Sequence, residues 1–287
     1  MRNYGFTLIE LSIVLVIIGL IVGGVLVGRD LIAASAVRSQ VSQITRFTQA
    51  AHTFRSKYGF LPGDIQEPQA TSFGFLARGA YAGEGDGNGL LEGISSHAAA
   101  QNYGVRMNAG ETSTFWVDLS TARLVEGRFT SARPTSATTL NTVAGFRTFY
   151  PEASIGGGNF IYAWSGGYNS GQSGTGTGDG INYLGISIPT FCSVATFSSS
   201  LGLTVGQASA IDAKMDDGLP QGGRVTALYL NWDSFRTPNY AGALAGVATP
   251  GSATTCYDNN NAATEPHKYS VTQNNGTGIN CALSFAF

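Results

Sequence analysis

Residues 6–27 read FTLIELSIVLVIIGLIVGGVLV, and Glu10 is the one charged side chain among them. A bilayer's hydrocarbon core of about 30 Å takes about 20 apolar helical residues to cross, so this run is long enough to span. It must sit in a membrane or be covered by other protein. A secretory signal would end in a small-x-small cleavage site after the apolar core. Gly23, Gly24 and Gly28 offer one only loosely, and the helical pattern runs on through them. The expectation is a helix that is kept.

The single carboxylate needs a reason. An ionised Asp or Glu at bilayer depth costs about 2.5 kcal/mol or more, so it calls for a partner. If the chain is cut after Gly5, Phe6 carries a free α-amino group, and Glu10 lies on the same helix face four residues on. Within one chain that pair lets the helix insert. Between neighbouring chains the same two charges would fix axial register, because an unpaired carboxylate among apolar helices is strongly disfavoured. The plainer alternative is a Glu10 that snorkels to the interface.

Gly5-Phe6 followed by Thr-Leu-Ile-Glu, within GFTLIELSIVLVIIGLIVG, resembles the junction cut by prepilin peptidase in bacterial type IV pilins and in the pseudopilins of type II secretion. The resemblance strictly covers residues 1–30. It implies that the leader, residues 1–5, is removed and Phe6 is N-methylated. It also implies that the helix waits as a single pass in the inner membrane until assembly machinery there packs it into an extracellular homopolymer. In that family Glu10 of an incoming subunit would meet the Phe6 amine of one already assembled. The tip-most minor pseudopilin commonly lacks this acid, so Glu10 favours a subunit of the filament body. Many pilins carry a proline where this chain has Val27. Two later blocks, KYGFLPGDI and IDAKMDDGLPQGGRV, resemble segments of a pilin-like subgroup.

Beyond the apolar run the helix continues with a different face. Val37, Val41, Ile44, Phe47, Ala51, Phe54 and Tyr58 recur at steps of three or four, with Arg38, Gln40, Gln43, Arg46, Gln49, Arg55 and Lys57 on the other faces. No proline interrupts the pattern before Pro62, so residues 6–58 form one helix of roughly 80 Å. The spacing predicts a transmembrane or filament-core half to about residue 28 and an amphipathic half beyond it. Gly19, Gly23, Gly24 and Gly28 weaken the middle by about 1 kcal/mol each relative to alanine, and serve either close helix packing or local unwinding.

Pro62-Gly63 is set for a tight turn, and residues 59–110 read as a connecting region. Within it Glu84, Asp86 and Asn88 place oxygen ligands at alternate positions, with Gly89 where a calcium loop turns sharply. Glu92 is the nearest later acid and is out of register, and Ser95 stands where the bidentate glutamate belongs. The readings are a calcium loop using Glu84, Asp86, Asn88 and Glu92, or an acidic turn with no cofactor at all.

Residues 111–287 read as the head. The pattern predicts helices over 115–125 and 205–215, and a helical reading of 190–201. It predicts strands over 146–150, 159–164, 181–188 and 224–232, and a final strand in CALSFAF. Asp212, Asp216 and Asp217 gather as a turn or a cation site. The overall class is α+β: a long N-terminal helix packed on a small antiparallel sheet with long loops.

Charged residues make up 12% of the chain and 39 of its 287 residues are glycine, as in a loop-rich protein. A net charge of -2 gives no electrostatic footprint for nucleic acid. Of Cys192, Cys256 and Cys281, two should be oxidised in an exported chain. Cys256 and Cys281 are the closest pair in sequence and the expected disulfide, worth about 3 to 4 kcal/mol by loop entropy. Cys192 is then a buried thiol, and the other pairings stay open.

His52, His97 and His267 are dispersed, with no metal-ligand spacing and no G-x-S-x-G elbow. The glycine-rich stretch 166–180 has neither dinucleotide nor phosphate-loop spacing. Catalysis is not expected. The functional expectation is a structural subunit of a type IV pilus-like filament. The alternatives are a minor pilin or pseudopilin of type II secretion and, from another class, a solitary membrane-anchored ligand-binding head.

Overall fold

A computed structural model describes residues 8–81, 83–94, 107, 109–167, 178–193, 196–233, 239–240, 251–258 and 266–287. Gly5, Phe6 and His97 lie outside these. Helix α1, Leu8–Tyr58, is unbroken over 51 residues. It ends as a C-cap glycine dictates: Gly59 takes φ +84° and its N–H donates to the Arg55 carbonyl at 2.8 Å.

The two halves of α1 live in different environments. Leu8, Leu20 and Ile32 are 86, 73 and 72% exposed, whereas Ile44, Ala51 and Phe54 are fully buried in the head. The stripe from Val37 to Phe54 is the one the periodicity predicts. Gln40 and Gln43 correct it. They were expected on polar faces, yet both are buried, because their amides pair with backbone of a head loop. Gln43 Nε2 donates to the Glu152 carbonyl (2.9 Å) and its Oε1 accepts from Ser154 N–H (2.7 Å), while Gln40 Oε1 accepts from Ile155 N–H (2.9 Å). The seam between helix and head is thus apolar with a polar clasp.

The head is an antiparallel sheet flanked by helices. Strands β1 (Phe160–Ser165) and β2 (Asn182–Ser193) pair from Phe160↔Ser187 to Ser165↔Asn182. On the far side of β2 lies β8 (Leu283–Ala286), paired from Tyr183↔Ala286 to Ile186↔Leu283, and β8 in turn pairs with β4 (Val225–Thr226). The end of β2 pairs with β3 (Thr196–Ser200), which pairs with β6 (Trp232–Asp233). A separate two-stranded piece joins β5 (Leu228–Tyr229) to β7 (Asn239–Tyr240). The other helices among the described residues are α2 (Gln69–Ser72), α3 (Glu111–Thr121), α4 (Val143–Phe149), α5 (Val205–Met215) and a 3-10 turn, Gln273–Gly276.

Several segments differ from the sequence reading. Residues 190–193 and 196–200 are not helical but form the end of β2 and all of β3, because Cys192 and Phe197 must both face the core, paired across the two strands. Residues 146–149 belong to a helix, not a strand, and Tyr150 caps its end. Thr142 caps it by accepting from Gly145 N–H, and Phe146 and Phe149, three apart, fall on one buried face. The run 224–232 is broken: Ala227 N–H goes to the Pro220 carbonyl, so β4 and β5 serve different sheets. Helix α3 starts four residues earlier than expected, at Glu111, and α5 occupies the residues predicted for it. The last strand, predicted in CALSFAF, lies inside the sheet between β2 and β4.

Cys256 and Cys281 are bonded, with Cα atoms 5.0 Å apart, and Cys192 is a buried free thiol. The bridge fastens the stretch 251–258 to the root of β8. Residues between α1 and α3 contribute Leu61, Ile65, Ala70, Phe75, Leu91 and Met107 to the same core as the head.

Candidate functional site

Two features of this fold bear on function. The first is the apolar half of α1. Among the described residues it is the only helix long and apolar enough to cross a membrane, and its span is not buried by the rest of the chain. Apart from Ser12, residues 11–27 are apolar or glycine, a surface that one copy of the chain leaves uncovered. Glu10 sits in its first turn, where a carboxylate is favoured by the helix dipole.

The second feature is a cluster of carboxylates where α1, the connecting region and α3 meet. Leu61-Pro62-Gly63-Asp64 makes the predicted turn: Asp64 N–H donates to the Leu61 carbonyl at 3.1 Å, and Gly63 takes φ +89°. Asp64 is thereby delivered into the fold. Its Oδ1 accepts from Gly87 N–H at 2.7 Å and its Oδ2 from Gly89 N–H at 2.8 Å. Glu111, in the first turn of α3, accepts from Gly85 and Asp86 N–H (3.0 and 3.3 Å) through Oε1 and from Glu92 N–H (2.9 Å) through Oε2. Gly85 takes φ +108°, and a Cβ there would lie 2.4 Å from the Ile65 carbonyl oxygen, so only glycine lets the loop approach this closely.

The oxygens converge. Asp64, Asp86 and Glu111 each offer a ligand atom, and these lie within 4.8 Å of one another. Asn88 Nδ2 bridges the Asp86 and Glu92 carboxylates at 3.0 Å each. The electrostatic consequence is large. Desolvation by burial, with Asp86 adding repulsion, pushes Asp64 up to about 7. Burial pushes Glu92 up to about 8 against the Asn88 bond, with Asp86 and Asp64 adding to it. Glu111 is held well above the carboxylate range by burial and then by Asp64, Glu92 and Asp86. None of the four carboxylates has an ion pair among the described residues; nearby Arg78 binds Asp118 instead, at 2.5 Å.

Of the four candidate calcium ligands, the fold brings Asp86, Asn88 and Glu92 together. It turns Glu84 elsewhere, its Oε2 accepting from Tyr81 N–H at 3.2 Å. Asp64 and Glu111 were missed, since each is separated from the acidic loop by a long stretch of chain. Asp64 within LPGD and Glu111 at the start of a helix were the only signals, and neither points to the loop by itself. The other acidic group, Asp212, Asp216 and Asp217, also brings its ligand atoms within 4.8 Å of one another, and its carboxylates close a turn. Asp212 Oδ1 accepts from Gly218 N–H (3.1 Å), Asp217 Oδ1 from Leu219 N–H (2.8 Å), and Asp216 Oδ2 from Val225 N–H (3.1 Å) and Arg224 N–H.

Residues 1–26 match the family model of the prokaryotic N-terminal methylation motif. The motif is the leader signature of type IV pilins and pseudopilins. It supports a pilin-like or pseudopilin role in general, with processing by prepilin peptidase and membrane anchoring before assembly. That family is structural rather than enzymatic. No curated protein matches the chain, and no solved structure does.

Proposed function

We propose that this chain is a structural subunit of a type IV pilus-like extracellular filament, built from the inner membrane by packing of its N-terminal helices. The observation that carries the reading is the division of α1. The half bearing the methylation motif is exposed, and the other half is sunk into the head through Ile44, Ala51 and Phe54. A bilayer covers the exposed half before assembly; the same half of other copies covers it afterwards. Glu10, the one acid in that surface, sets where each copy stops by meeting the methylated amine of Phe6 in a neighbour.

Glu10→Ala is the test. The variant should still insert in the membrane and still be cleaved, with a mature N-terminus whose mass begins at methylated Phe6, but sheared surface fractions should hold few or no filaments. Abundant normal filaments from Glu10→Ala would refute the register role. Wild-type chain confined to the inner membrane and absent from sheared material would favour a solitary anchored protein instead.

A further inference from the structure

Asp64, Asp86, Glu92 and Glu111 come from the turn after α1, from the glycine-rich loop and from the first turn of α3. We propose that these four carboxylates hold one calcium ion, which ties those three segments together. This goes beyond the filament reading and does not depend on it.

Four observations carry it. Three of the carboxylates already place ligand atoms within 4.8 Å of one another, as a shared cation requires. Glu92 is fully buried, is linked to Asp86 through Asn88, and among the described residues its Oε1 has no hydrogen-bond partner. A buried carboxylate oxygen left unpaired is costly, and a cation among these acids would satisfy it. Among the described residues each oxygen of Asp86 accepts one hydrogen bond, as does Glu111 Oε2, and a carboxylate has about four acceptor sites, so room remains for a metal. Finally, a surface hollow of about 290 Å³ reaches Asp86 past Gln66, Glu67, Tyr81 and Gly85, which gives an ion a way in.

The donor set chooses the metal. It is all oxygen, with no histidine or cysteine, which excludes the preferences of zinc and copper. Calcium accepts 6–8 oxygen ligands in flexible geometry, whereas magnesium demands a near-ideal octahedron and keeps its waters. An irregular cup assembled from loop, turn and helix end suits calcium. The competing account is that the glycine N–H groups alone hold the carboxylates and nothing binds.

The full-length protein in detergent micelles, stripped with EGTA, would be titrated with calcium chloride by isothermal calorimetry and melted by circular dichroism. One calcium per chain should bind, and at about a hundredfold excess over Kd the midpoint should rise by about 5 to 10 °C. Magnesium should bind at least tenfold more weakly. Asp64→Asn, Glu92→Gln and Glu111→Gln should each lose at least tenfold in affinity, while Asp217→Asn, in the other acidic group, should keep it. Glu92→Gln preserves shape and the Asn88 neighbour, so it reports binding even if the other two variants fail to fold. The proposal is overturned by a wild type that shows neither heat nor a midpoint shift at about 10 mM calcium, above the range of extracellular calcium modules. It is equally overturned if Glu92→Gln binds as the wild type does.

Discussion

Asp118 and Arg78 are both fully buried, 2.5 Å apart, and between them they organise the start of the head. Asp118 Oδ2 also accepts from Gly63 N–H at 2.6 Å, and Arg78 Nε donates to the Ile65 carbonyl at 3.2 Å. Removing one partner of such a pair leaves an uncompensated buried charge. Asp118→Ala should therefore cost about 3 to 5 kcal/mol in chemical denaturation, and far more than Arg147→Ala, whose ion pair with Glu152 is exposed. Asp212 gives a pH prediction. Burial pushes its carboxyl up to about 6, opposed by bonds from Tyr269 hydroxyl and Gly218 N–H. The folded state therefore favours the protonated form, and this group's contribution is fully present below about pH 4 and lost as pH rises to about 6. The difference in denaturation free energy between wild type and Asp212→Asn should shift in favour of the variant across that window and stay level above it. At this scale the sequence displayed the acids but not their company. Glu84 looked like a ligand by spacing and faces Tyr81, while Asp64 and Glu111, with no spacing to the loop, are bound to its N–H groups.

Among the elements, α1 was the most legible because its signal is local and repeated over 51 residues. Its two buried glutamines were not, since their partners at residues 152–155 lie over a hundred positions away. Gln43→Ala would leave Ser154 N–H and the Glu152 carbonyl without this partner, at a cost of about 1 to 3 kcal/mol, whereas Arg46→Ala on the exposed face should stay within about 0.5 kcal/mol. Chemical denaturation of the two variants separates them. The misread elements fail for one reason. Short runs such as 146–150 and 190–201 carry too few residues for a period to stand out. Their state is then decided by a cap at Thr142 in one case and by pairing with β2 in the other.

For the whole molecule, the exposed half of α1 adds nothing to the head's internal packing. A chain beginning near residue 33 should therefore be soluble without detergent and unfold at a midpoint within a few degrees of the full chain, as circular dichroism would show. A collapse of the truncated head would mean that the apolar half supports it. The disulfide between Cys256 and Cys281 acts at the same scale, joining the 251–258 stretch to an interior strand of the sheet. The sequence by itself determined the long helix and its change of face at about residue 28, the methylation motif, the Pro62-Gly63 turn and helix α5. All of these are written in neighbouring residues, where periodicity and turn chemistry act directly. Only the tertiary structure decided the sheet order, the polar clasp of Gln40 and Gln43, and the meeting of Asp64, Asp86, Glu92 and Glu111. Those depend on which distant segments are packed together, and burial, not local preference, selects the arrangement.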